Sequence, residues 1–205
     1  VSTAERLDDF ELGWRFQNER LRLNANGYFM NYTDQLVLTG AIDDVGAPIR
    51  ATSGKSYRLG LELDADYRIS DSFSVQPNAA FSANRNQDFN ALVFGELKNL
   101  GDTPLSFSPG LIMGNQFTYT PSEHFQLAFL SKYVGEQYMS NLGSKVSSLD
   151  VLEAYFTSDL NLIYQIESKS VFKSITFTAL INNIFNAEYV DRGYYYTYDY
   201  PGANG

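Results

Sequence analysis

The chain contains no cysteine and a single histidine in 205 residues. Without cysteine there is no disulfide framework and no thiolate metal centre. One imidazole with no second His or Cys cannot assemble the usual zinc-binding or catalytic constellations, and His124, beside Pro121, reads as a surface-turn residue. No run approaches the roughly 18 apolar residues of a transmembrane helix. No segment sustains a 3.6-residue apolar period, so long helices are not expected. Positive charge is also short: 15 Lys and Arg against 24 Asp and Glu leave a net charge of −9, which argues against a nucleic-acid partner. Neither a Gly-rich phosphate loop nor a nucleophile motif occurs. Val1-Ser2-Thr3-Ala4-Glu5-Arg6 has no basic n-region and no apolar h-region. It is not a signal peptide, and for an exported protein the expectation is a mature product or an internal fragment.

What the sequence does have is alternation. Tyr57, Leu59, Leu61, Leu63, Ala65, Tyr67 and Ile69 lie on one face of an extended segment, and Arg58, Gly60, Glu62, Asp64, Asp66 and Arg68 lie on the other. A period of two marks a β-strand with one apolar and one polar side. The run exceeds the usual globular strand of about 5–6 residues and reaches the roughly 9–11 residues that cross a bilayer at a tilt. The same pattern recurs at Phe10–Phe16, Leu21–Phe29, Phe73–Phe81, Leu111–Tyr119, Phe125–Tyr133, Phe156–Ile166 and Ile175–Ile181. Two segments are imperfect. Tyr28, Phe29 and Met30 leave the outer face of the second strand open, and Asn115 interrupts an apolar face.

About eight strands are therefore expected, joined by connections that alternate in length. The short ones are Asn18-Glu19-Arg20, Ser70-Asp71-Ser72, Pro121-Ser122-Glu123-His124 and Ser168-Lys169-Ser170. The long ones run near Thr39–Ser56, Asp88–Phe107 and Gln137–Glu153 and after Ala187, and their Gly, Asp, Asn and Ser content reads as solvated loop. Short turns at one end and long loops at the other is the signature of an outer-membrane barrel. An aromatic content of 15% fits its aromatic girdles. The phase of the loops starts the first strand outside the cell and ends the last one outside. A complete barrel begins and ends on the periplasmic side, so an internal slice of a larger barrel is expected. A complete eight-stranded barrel or a sandwich is the alternative that this length permits.

Three stretches resemble one family. Glu5-Arg6-Leu7-Asp8-Asp9-Phe10-Glu11-Leu12-Gly13-Trp14-Arg15 is similar to a barrel motif of TonB-dependent outer-membrane receptors, with Ala4 where that family has Pro. Ile181-Asn182-Asn183-Ile184-Phe185-Asn186-Ala187-Glu188-Tyr189 resembles its Asn-Leu-Phe-Asn-x-x-Tyr segment. Tyr28-Phe29-Met30-Asn31-Tyr32-Thr33-Asp34-Gln35-Leu36 is similar to its aromatic-rich hairpin strand. The resemblance implies an all-β fold, an antiparallel transmembrane β-barrel of about 22 strands, of which residues 1–205 supply about eight as a segment of one barrel domain. The plug domain, the TonB-binding region, the early strands and the closing strand are expected outside this chain.

The resemblance further implies a receptor in the cell outer membrane that imports a scarce solute, with iron uptake and a ferric siderophore as the first expectation, and no enzymatic activity. The implied partners are outer-membrane lipid, the plug and remaining strands of the same barrel, the TonB complex through the missing N-terminal region, and the small-molecule or chelate substrate. No cofactor and no metal site are expected. Asp43-Asp44 and Asp8-Asp9 lack the oxygen-ligand spacing of a calcium loop. Glu62, Asp64 and Asp66 with Arg58 and Arg68 read as a lumen-lining wall rather than as catalytic acids. Tyr194, Tyr195, Tyr196 and Tyr198 form a possible ligand-contacting external loop, or equally an interface girdle. The rival functions are a small passive barrel or adhesin, and a soluble carbohydrate-binding sandwich.

Overall fold

Every long alternating segment forms a strand, and eight of them hydrogen-bond side by side into one antiparallel sheet. The structure is a computed structural model and describes residues 4–42, 45, 47–52, 54–93, 96–143, 149–167 and 172–195. The strands are β1 (Arg6–Gln17), β2 (Leu21–Thr33), β3 (Leu36–Ile42), β4 (Pro48–Thr52), β5 (Lys55–Arg68), β6 (Phe73–Gln87), β7 (Asn90–Val93), β8 (Glu96–Asn99), β9 (Thr103–Pro104), β10 (Leu111–Ser122), β11 (Phe125–Val134), β12 (Gln137–Tyr138), β13 (Val151–Leu152), β14 (Tyr155–Glu167) and β15 (Ser174–Ile181). The main sheet runs β1-β2-β5-β6-β10-β11-β14-β15, with β9 attached to β6. It is an open path, with β1 and β15 at its edges. No helix among the described residues is long and apolar enough to cross a membrane, which says nothing of strands.

Register decides which side chains share a face. Phe10 pairs with Phe29, and Phe29 with Leu59. The second half of β2, open in the sequence, is thereby fixed: Phe29 joins the apolar face, while Tyr28, Met30 and Tyr32 join the polar one. The apolar row continues through Leu61 to Phe81 and from Phe81 to Leu111. Asn115 does lie on the apolar face, opposite Pro77 on one side and Ser131 on the other. No second sheet covers this face among the described residues. Leu12 is 82% exposed, Phe10 66% and Trp14 56%, a contiguous apolar display that a soluble monomer does not carry. A sandwich would bury it between layers.

Short connections tie the ends of β1–β2, β5–β6 and β10–β11. In the first, the Asn18 side-chain oxygen accepts from the Arg20 and Leu21 amides at 2.9 and 2.8 Å, an Asx-type turn that lets two residues reverse the chain. His124 sits exposed in the β10–β11 turn, and its backbone carbonyl accepts from the Gln165 amide at 2.8 Å.

The long connections differ from the solvated loops expected of them. Each carries its own hairpin, β3–β4, β7–β8 and β12–β13, and together they hold a hydrophobic core. Val37, Phe89, Ala91, Val93, Leu105 and Leu142 are buried against one another, with Leu100 and Tyr195 packed on them. Phe89, Ala91 and Val93 alternate along one short stretch, whereas Val37, Leu105 and Leu142 each come from a different one, so no single run of sequence announces the core. Buried polar groups knit the same assembly. Asn86 is fully buried, and the two N–H bonds of its Nδ2 are shared among Thr103 Oγ1 (3.2 Å), the Pro104 carbonyl (3.3 Å) and Asn141 Oδ1 (3.4 Å). Asn141 Oδ1 also accepts from the Ser106 amide at 2.9 Å, and Ser140 Oγ donates to Asp150 Oδ2 at 2.5 Å. Two connections that are distant in sequence are thus joined through one amide.

On the polar face, the Tyr28 ring lies over Gly60 and fills the place where a Cβ would stand. Glycine is required there for the close approach of the ring, not for a special backbone angle. Gly60→Ala is expected to displace Tyr28 and lower stability by about 1–3 kcal/mol, the usual range for overpacking. In a Tyr28→Ala background the same change is expected to cost much less. Urea midpoints of the four proteins check this, and equal losses in both backgrounds would contradict the packing described.

Candidate functional site

Arg58, Glu62, Asp64, Asp66 and Arg68 occupy alternate positions of β5 and so share its polar face. Their neighbours across the sheet set their environments. Asn24 donates to Asp64 Oδ2 at 2.8 Å. Gln76 donates to Asp66 Oδ2 at 3.3 Å, and Arg22 Nη2 approaches the same oxygen at 3.8 Å. Arg68 donates to the Glu19 carbonyl at 3.2 Å. The Arg58 guanidinium lies 6.0 Å above the Tyr32 ring. Exposed pairs of this kind contribute about 0–1 kcal/mol each, so the row is a hydrated surface rather than a stabilising network. At about 3.4 Å per residue it stretches on the order of 30 Å. The five residues do not converge, and a small ligand could touch only one or two of them at a time.

A second locus lies at the end of the sheet that carries the long connections. After β15 the chain turns at Asn183, whose φ of 49° and that of Asn186 at 50° are left-handed, a conformation that Asn tolerates better than most residues. The Asn183 amide donates to Asp159 Oδ1 at 2.7 Å, and the Ile184 amide to the Ser158 carbonyl at 2.8 Å. The Asn183 side chain then clasps Ala187 twice, donating to its carbonyl at 2.9 Å and accepting from its amide at 2.8 Å. Phe185 meets Phe129 edge to face at 6.3 Å. Tyr189 stacks on Tyr155 with centroids 4.4 Å apart.

This anchored segment delivers the first two tyrosines of the run. Tyr194 is 54% exposed and lines a cavity of about 720 Å³ with Met139, Leu152, Glu153, Glu188 and Tyr189. Tyr195 points the other way and packs on the hydrophobic core of the long connections. Tyr196 and Tyr198 lie outside the described residues. The structure therefore separates residues that the sequence groups together. It also adds Met139, Glu153, Glu188 and Tyr189, which sequence reasoning missed. Tyr189 ends the motif that begins at Ile181, but nothing in the sequence brings Met139 and Glu153 to it.

No three carboxylate or imidazole groups among the described residues come close enough to share a metal ion. Asp8 lies 2.9 Å from Arg6 Nη2, an exposed pair rather than half of a cation site. Asp43 and Asp44 lie outside the described residues.

Residues 3–184 match the family model described as TonB dependent receptor-like, beta-barrel. No curated protein matches the chain. Among solved structures it is similar to the copper transporter OprC, at 17% identity and a TM-score of 0.69 over 92% of this chain and 27% of that one. It is similar to the ferric-catecholate import receptor Fiu from E. coli K12, at 18% identity and 0.65 over 94% of this chain and 26% of that one. The ferric yersiniabactin uptake receptor FyuA from Yersinia pestis follows at 16% identity and 0.65, over 97% and 27%. At these identities the likeness is one of fold, and the chain spans about a quarter of the length of each structure.

Asn183→Ala removes both contacts to Ala187 and forces alanine into a left-handed backbone. The local cost is expected at about 1–3 kcal/mol. Amide hydrogen exchange at Ala187 and over residues 188–195 should accelerate while β5 and β6 stay protected. Unchanged exchange in the segment would contradict the anchoring role.

Proposed function

The chain belongs to the TonB-dependent receptor-like β-barrel family, and from that premise we propose that it forms part of the wall of an outer-membrane barrel that imports a scarce solute. The observation that carries this reading is the two-faced sheet: eight long antiparallel strands, apolar on one side and charged on the other, with short turns at one end and packed connections at the other. Its apolar side meets lipid, where only a closed barrel leaves no backbone group unpaired. Its polar side, with Arg58, Glu62, Asp64, Asp66 and Arg68, lines the lumen and faces water and the plug. The end with the long connections faces the medium.

Residues 1–205 act as one segment of a single barrel domain. The plug and the remaining strands lie elsewhere in the assembled receptor, a reading supported by the coverage of about a quarter of each similar structure. External loops capture the solute, the TonB complex relays the inner-membrane proton gradient to the plug, and the lumen wall provides a hydrated path. No bond is made or broken in the solute by this chain. A ferric siderophore is the first solute proposed, supported by likeness to receptors whose names state ferric-catecholate and ferric yersiniabactin uptake. Copper stands beside it because of the likeness to a copper transporter. Tyr194 is the loop residue proposed to contact the solute, since it is exposed and lines the external cavity.

Cells that carry the receptor are expected to accumulate radiolabelled iron from a ferric chelate under iron limitation. Collapse of the proton gradient, or loss of TonB, should reduce uptake to the level of cells without the receptor. Uptake that continues without energy would instead favour the small passive barrel.

A further inference from the structure

The cavity beside Tyr194 has a chemical character of its own. Two carboxylates, those of Glu153 and Glu188, are among its lining residues, both exposed. Neither has a hydrogen-bond or ion-pair partner among the described residues. Two aromatic rings, Tyr189 and Tyr194, line the same space, and Tyr189 is held in place by its stack on Tyr155. No Lys or Arg is among the described lining residues. Arg192, the nearest cation in sequence, lies 3.6 Å from Asp191 and does not line the cavity. Aromatic faces attract cations and repel anions through their quadrupole, so rings and carboxylates favour the same sign of charge.

A second cavity at the same end of the sheet repeats that sign. It also measures about 720 Å³ and is lined by Asp34, Asp88 and Asp102, with Lys55 the one cation among the described lining residues. Its walls come from the β2–β5 and β6–β10 connections, whereas the Tyr194 cavity is built from the β11–β14 connection and the segment after β15. Two independently built concavities thus present negative charge to the medium. Clefts lined by one sign of charge focus the field and raise the local concentration of oppositely charged solutes. Both volumes fall in the range of about 300–1,000 Å³ typical of small-ligand clefts.

We propose that the cavity formed by Tyr189, Tyr194, Glu153 and Glu188 receives a cationic group of the imported solute, either a protonated amine or a positively charged metal complex. The proposal rests on the import reading and narrows it: a polyanionic chelate would meet repulsion at this wall. The rings take the apolar body around the charge, and the two carboxylates take the charge itself.

A matched pair of aromatic probes of opposite charge, phenyltrimethylammonium and benzenesulfonate, tests this on the purified full-length receptor by saturation-transfer NMR. The ammonium probe is expected to bind, and more weakly as salt rises. The Glu153→Gln/Glu188→Gln double variant and Tyr194→Ala should each weaken it about tenfold or more, on the scale of about 1.4 kcal/mol per factor of ten. Heat-modifiable gel mobility verifies that both variants remain folded. Benzenesulfonate should not bind the unaltered protein. Absence of ammonium binding, sulfonate binding of equal strength, or ammonium binding unmoved by the substitutions would each overturn the proposal. Failure of energised metal uptake would overturn the import reading instead, and the probe result is independent of it.

Discussion

Backbone hydrogen bonding between long neighbouring strands is the constraint on which everything else in this molecule depends. Neighbouring main strands pair in antiparallel register over most of their length, from Arg6↔Thr33 in the first pair to Glu167↔Ser174 in the last, with one shift between Tyr119 and Ser122 beside the β10–β11 turn. Once that register is set, the period of two sorts every side chain to one face or the other. A one-residue slip between β2 and β5 would set Leu59, Leu61 and Leu63 opposite Tyr28, Asn26 and Asn24. The polar residues of neighbouring strands, such as Asn24 and Asp64 at 2.8 Å, favour the observed register over that slip. Such contacts add little energy singly, but they fall only where the correct pairing brings them together.

The second organising element is the assembly at the loop end. Connections in a barrel have no need of a core, since the sheet already satisfies the strand backbone. Here they build one, from Val37, Phe89, Ala91, Val93, Leu105 and Leu142, with Asn86 and Asn141 bridging between connections. That core also takes up Tyr195, the neighbour of the residue that lines the cavity. Tyr194 and Tyr195 show how it works on neighbouring residues: one is spent on the core, which leaves the other facing the cavity. A loop that moved freely would present both.

How much of this was legible beforehand follows from the range of each interaction. The strands, their polar and apolar faces and the alternation of short and long connections are written locally, in runs such as Tyr57 to Ile69, and were readable. The family resemblance at Phe10–Arg15 and Asn183–Tyr189 was readable too, although the reason for the asparagine was not. Only the geometry reveals that Asn183 stands left-handed and grips Ala187. The face of Tyr28 and Met30 was ambiguous because both faces of that segment carry large side chains, and cross-strand pairing resolves it. The loop core was illegible for a plainer reason. Its members come from three separate connections, and although Phe89, Ala91 and Val93 alternate, so short a run does not say what it packs against. Glu153 and Glu188 likewise gain meaning only when β13 and the segment after β15 meet.

The central claim is that one face of this sheet lies in lipid and the other in water. Because the chain has no cysteine of its own, single cysteines can be placed along β5, from Leu61→Cys to Ala65→Cys in steps of one residue, and spin-labelled in the receptor reconstituted in bilayers. Relaxation by oxygen, which concentrates in lipid, and by a water-soluble nickel chelate should then alternate with a period of two. Oxygen should dominate at positions 61, 63 and 65, and nickel at 62 and 64. Equal nickel access at all five positions, or a profile without alternation, would contradict the account.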